Sequence, residues 1–79
     1  MLPSQRRWLE AEFGHKLEIK GETKDEIIAE IKATLESKNR KVSDAARQFF
    51  DRHCDGKAPR NFKDKALTIY NIIAGNGGK

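Results

Sequence analysis

TKDEIIAEIKATL, Thr23 to Leu35, is the stretch on which the fold turns. Thr23 followed three residues later by Glu26 is a capping box, in which side chains at a helix start satisfy backbone N–H groups that have no intrahelical partner. Ile27, Ile28, Ile31 and Leu35 then recur at helical spacing and form one stripe, with Glu26, Glu30 and Lys32 on the other side. A helix this short does not stand alone in water, so the stripe requires other elements to cover it.

The flanking sequence supplies them. Upstream, Pro3 suits a first helical turn and Gly14 suits the left-handed residue that ends one, which predicts a helix over 3–13 with Trp8, Leu9 and Phe13 on its inner face. Between Gly14 and Gly21, HKLEIK alternates Leu17 and Ile19 with charged neighbours, an extended link with two anchors facing the core. Downstream, SKNRK breaks the pattern, and Ser43 is placed to cap a third helix with Val42, Ala45, Ala46, Phe49 and Phe50 inward. DGKAPR ends that helix near Cys54. Asn61 caps a last one, with Phe62, Ala66, Ile69, Tyr70 and Ile73 inward and Leu67 on the flank. The chain has one valine and three threonines, so intrinsic propensities favour helix throughout. The expectation is an all-α fold: one domain over 1–79, a compact bundle of about four short helices with an extended loop between the first and second. Residues 1–2 and the GNGGK tail, 75–79, fray. TKDEIIAEI and FKDKALTIY form a faint echo at an offset of 39 residues, sharing only Lys and Asp in place.

Composition bounds what such a bundle does. Apolar residues are 37 % of 79, and eight of them are alanines, which leaves too little to enclose a deep catalytic cleft. No apolar run reaches the length of a membrane span. The start, MLPSQRRWLEAEFG, is charged too early for a signal peptide. The one cysteine, Cys54, has no internal partner, so the chain reads as cytoplasmic and held by packing.

The first half has a more particular shape. WLEAEFG, HKLEIK and GETKDEIIAEI are a helix stopped by glycine, a link with two apolar anchors, then glycine and lysine opening a second helix with an acidic residue and an aliphatic pair. This resembles the helix-extended-loop-helix modules grouped as SAP, LEM, HeH and Rho N-terminal domains, over residues 3–35, with Lys24, Glu26, Ile27, Ile28 and Ile31 matching the second helix's opening. Many SAP-like and Rho N-terminal modules bind nucleic acid and LEM domains mostly bind protein, so the resemblance leaves the partner class open. It implies a phosphate at Lys20, Gly21, Thr23 and Lys24, where N–H groups at a helix start attract an anion. This loop is one residue longer than a SAP loop, and Glu18, Glu22, Asp25 and Glu26 surround the site with negative charge. The plainer reading is that Thr23 and Glu26 only cap a helix and Gly21 only turns the chain.

Charge distribution gives a second, independent pointer. The net charge of +4 resolves into one positive charge over 1–20, two negative over 21–38 and five positive over 39–79. The excess concentrates in KNRK (38–41) and KAPRNFKDK (57–65), two basic loops before helices, with Lys38, Arg40, Lys41, Arg60 and Lys63 as phosphate contacts. A solvated surface explains the same residues equally well. A helix-turn-helix reading of the second and third helices fits poorly, because Asp44 and Asp51 share a face with Arg47, Gln48 and Arg52; Arg47 with Asp51 and Gln48 with Arg52 read instead as an i, i+4 ladder.

Catalytic and metal chemistry have no footing. His53 and Cys54 are adjacent on a helix, about 100° apart, and no second cysteine completes a zinc set with His15. His53 is better placed bordering Phe49, and Cys54 as a small apolar residue. The reading is therefore non-enzymatic and without cofactor or metal: a small basic accessory or regulatory protein of bacterial or phage type, binding nucleic acid, DNA before RNA, through its backbone. The rival is a protein-binding adaptor or inhibitor meeting an acidic protein surface or forming a homodimer. Its motive is the apolar surplus of the last helix, with Leu67, Tyr70 and Ile72 as the interface.

Overall fold

The computed structural model describes residues 2–14, 16–17 and 19–76; Met1, His15, Glu18 and residues 77–79 lie outside them. Four helices follow in order: α1 (Pro3–Phe13), α2 (Lys24–Leu35), α3 (Arg40–Cys54) and α4 (Phe62–Asn76). Together they are 53 of the 79 residues, and the described residues contain no strand. The all-α bundle follows from the propensities and the stripes.

The helix starts show how local chemistry sets the boundaries. Glu26 N–H donates to Thr23 Oγ1 (3.2 Å), and the Thr23 hydroxyl donates to Glu26 Oε1 (2.9 Å), so the box closes through the hydroxyl. Asn61 caps α4 as expected, accepting from Asp64 N–H (2.7 Å) and donating back to Asp64 Oδ2 (2.9 Å). The start of α3 differs from expectation. It begins at Arg40, three residues before Ser43, with Asn39 Oδ1 accepting from Lys41 N–H (2.9 Å). Asparagine caps as well as serine, and Lys38 takes a left-handed backbone (φ 58°) that turns the chain within residues 36–39. Arg40 and Lys41 are thus helical, not loop. At the far end α4 continues through Gly75 and Asn76, beyond the point where the sequence predicts fraying. The faint echo is out of register at its caps, since Thr23 precedes α2 while its counterpart Phe62 is already inside α4.

The packing order is cyclic. α1 lies against α3 and α4, and α2 lies against α4 along its length and against α3. α1 therefore sits diagonally from α2, and α3 from α4. Connection lengths agree with this: the diagonal pairs are joined by the links 14–23 and 55–61, and the neighbours α2 and α3 by the short turn 36–39. α1 and α2, the two helices of the first half, have no direct contact and are each packed on α3 and α4.

The core forms where the four stripes converge. Leu9, Phe13, Ile27, Ile31, Leu35, Val42, Ala46, Phe49, Phe50, Ala66, Ile69 and Ile73 are buried, joined by the link's anchors Leu17 and Ile19. Trp8, Ile28, Ala45, Tyr70 and Ile72 pack half-buried against them. Phe49 is the centre: fully enclosed, it meets Phe13 (6.0 Å between centroids), Phe50 (5.9 Å), Trp8 (6.3 Å) and His53 (4.5 Å). The radius of gyration, 11.3 Å, is that of a fully compact chain of this length, about 11.6 Å.

Phe62 departs from the expected inner stripe, being 44 % exposed. It is the first helical residue of α4 and lines two surface clefts at that end of the bundle, beside Lys32 and Leu35 of α2. Ala66, Ile69 and Ile73 carry the stripe without it.

Truncating the central ring removes contacts to three other aromatics and leaves a cavity that helices fixed by short turns cannot close. Phe49→Ala should lower unfolding free energy by about 3–5 kcal/mol, a large share of the stability of a domain this small. A urea titration followed by far-ultraviolet circular dichroism measures it.

Candidate nucleic-acid interface

The topology sorts the basic residues. α2 and α4 run antiparallel, so the end of α2 lies beside the start of α4: Lys32 and Glu36 share an open cleft with Asn61, Phe62, Lys63 and Asp64. The first turns of α3 come to the same end, because Ser43, Ala46 and Arg47 share a second cleft with Ala58, Phe62 and Lys65. The two basic segments that are far apart in sequence thus meet at one end of the bundle. Residues 37–47 and 58–65 hold seven bases there, Lys38, Arg40, Lys41, Arg47, Arg60, Lys63 and Lys65, against Asp44 and Asp64.

These side chains are available. All but Lys65 are exposed, and none of the seven takes part in an ion pair among the described residues, which are Arg6–Glu10 (3.7 Å), Lys32–Glu36 (2.8 Å) at this same end, and Glu12 with Arg52 (3.9 Å) and His53 (3.1 Å). The expected ladder is not formed. Arg52 crosses to α1 instead, its guanidinium donating to the carbonyl oxygen of Glu12 at the helix end, where cations are favoured. Arg47 makes no ion pair with Asp51.

Lys20, Gly21, Thr23 and Lys24 lie at the opposite end. α2 separates the two groups by its own length, about 18 Å. Here three of the backbone donors are engaged: Lys20 N–H donates to Glu30 Oε1 (3.1 Å) and Gly21 N–H to Glu30 Oε2 (2.9 Å), while Thr23 takes the N–H of Glu26. Glu30, which the stripe assigns to the outer face of α2, is half-buried under the link. The protein's own carboxylate thus stands where the resemblance implies a phosphate. The Lys24 ammonium lies over the Tyr70 ring (5.9 Å). Gly21 is needed for close approach, since a Cβ would come within 2.6 Å of Glu26 Cβ.

Of the apolar interface residues, Leu67 is 37 % exposed, whereas Tyr70 and Ile72 are half-buried against the core. The surplus on α4 is therefore smaller than the sequence implies. His53 does border the aromatic cluster, its ring tilted at 4.5 Å from Phe49 and 5.6 Å from Trp8, and Cys54 packs half-buried on the core. Among the described residues no three His, Cys, Asp or Glu side chains are grouped to hold a metal ion. None of the helices is long and apolar enough to cross a membrane.

Sequence reasoning misses two residues of the basic end. Phe62 reads as core, although Asn61 before it is a cap and a residue directly after a cap projects from the helix end. Arg47 reads as spent on Asp51, because i, i+4 spacing allows a pair without requiring it.

Compared with known family models, curated proteins and solved structures, the chain gives no match. The class it defines is structural: a small all-α bundle of four helices in cyclic order, with a basic end made by the starts of α3 and α4.

Glu30→Ala leaves two N–H groups of the link without a protein acceptor, and Gly21→Ala forces the link off α2. Each should destabilise the fold by about 1–3 kcal/mol. The double variant should lose less than the sum of the two, because both loosen the same contact; urea midpoints of the three variants test this.

Proposed function

We propose that this protein is a non-enzymatic nucleic-acid-binding accessory or regulatory protein of the cytoplasm, gripping the phosphate backbone with the basic end of the bundle. The observation that carries the reading is the convergence of segments 37–47 and 58–65 on one end, with seven bases, two acids and no ion pair consuming the bases. A surface of interspersed charge kept only for solubility has no reason to segregate in this way. Binding of this kind is electrostatic and independent of sequence, with DNA the first candidate.

The corner at Lys20 to Lys24 contributes little in this reading, because Glu30 occupies its donors and adds negative charge. The alternative, a protein interface on α4 at Leu67, Tyr70 and Ile72, keeps only Leu67 of the three exposed, and the helix's other exposed apolar side chain, Phe62, stands at the basic end.

Fluorescence anisotropy with labelled duplex and single-stranded oligonucleotides at several salt concentrations tests the proposal. Affinity should fall steeply with salt. Replacing Arg40, Lys41 and Lys63 with alanine should flatten the log–log salt slope by about one unit per residue, while Lys20→Ala with Lys24→Ala should leave it nearly unchanged. No binding of either oligonucleotide at low salt overturns the proposal.

A further inference from the structure

We infer that the cleft between α3 and α4 takes an unstacked base, so that the nucleic acid held at this end is single-stranded. The inference rests on the nucleic-acid reading above and names the form of its ligand. α3 and α4 are diagonal in the bundle, and the space between them near the end of α2 is a cavity of about 250 Å³. Its floor is apolar, made by Leu35, Ala46 and Phe50, and Phe62 forms a wall. Arg47, Lys65 and the Ser43 hydroxyl make up the polar rim.

Three features fit a nucleobase. The volume is below the roughly 300–1,000 Å³ that holds a whole drug-sized ligand, so it suits one planar ring system and leaves sugar and phosphate outside. Phe62, at the edge of the cleft, is 44 % exposed, and bases stack on aromatic rings whatever their identity. The charge is also selective. The other three clefts carry carboxylates, from Glu22, from Glu36 and Asp64, and from Glu10, whereas this one is lined by two cations and no acid. The Lys65 ammonium lies over the Phe62 ring, 5.4 Å from its centre, so a cation stands beside the aromatic wall. Arg40, Lys41 and Lys63 continue the positive surface along which the strand would run.

A duplex does not offer this contact, because its bases are paired and stacked inside the helix. Backbone binding alone treats both forms as charged rods, so the preference for single strands is what separates the two ideas.

The test compares oligo(dT) and oligo(U) with a DNA duplex, at about 50 mM salt, for the wild type, Phe62→Ala and Phe62→Leu. Phe62 lies on the surface, so both variants keep the fold, as circular dichroism will verify. The expected result is tighter binding of single strands than of duplex by the wild type. Both variants should lose about tenfold in single-strand affinity, with duplex binding unchanged. Phe62→Trp should retain single-strand affinity and show quenching of its added indole emission beyond any change in Trp8. The tighter of oligo(dT) and oligo(U) identifies the strand as DNA or RNA. Single-strand affinity equal to wild type in both Phe62→Ala and Phe62→Leu overturns the base pocket and leaves backbone binding standing. A wild type that binds no oligonucleotide overturns both.

Discussion

The Glu30 carboxylate, accepting the backbone N–H groups of Lys20 and Gly21, is the contact on which the arrangement of the bundle rests. Placing α1 and α2 on opposite corners requires a link too long for a tight turn, and an irregular link leaves backbone donors to be satisfied. Carboxylates from both sides do this. Glu10 of α1 accepts from Leu17 N–H (3.3 Å), Glu30 of α2 accepts from Lys20 and Gly21, and the side chains of Leu17 and Ile19 are buried. Gly21 permits the approach because any larger residue would strike Glu26. With the link fixed, α2 is committed to α4, and the remaining diagonal, α3 with α4, follows.

That commitment also divides the charge. The anion-attracting corner at the start of α2 is filled internally, so it serves structure. The end of α2, by contrast, turns through Lys38 into Asn39 and releases α3 directly from the basic run, and antiparallel packing on α4 delivers the second basic run to the same place. The cleft there is a consequence of the diagonal relation of α3 and α4: they do not close on one another, and Phe62, standing at the first position of α4, borders the gap.

Much of the fold is legible in one dimension. Helical stripes name nearly every buried residue, from Leu9 to Ile73, and the Thr23 and Asn61 caps fix two helix starts, because capping is chemistry between residues three apart. The sequence puts the cap of α3 at Ser43, whereas Asn39 caps it four residues earlier, and local preference does not decide between two residue types that cap equally well. Glu30 illustrates the opposite case. Its place on the outer face of α2 is right for the helix alone, yet its partner lies nine and ten residues earlier, and no periodicity reports a backbone donor in a link. Arg52 and Glu12 are forty residues apart and meet only because α1 lies on α3.

The sequence by itself determined the helical class, the core stripe and the total of positive charge, since each is set by propensity, spacing of a few residues or composition. Only the tertiary structure decided which charges act together. Lys20 and Lys24 resemble Arg40 and Lys63 in the sequence, but the first pair sits beside a carboxylate that folding brings into the site, and the second pair, from segments more than twenty residues apart, is joined by antiparallel packing. Long-range proximity is a property of how stripes are buried against each other, and a stripe specifies that it must be covered without specifying by which helix or from which end.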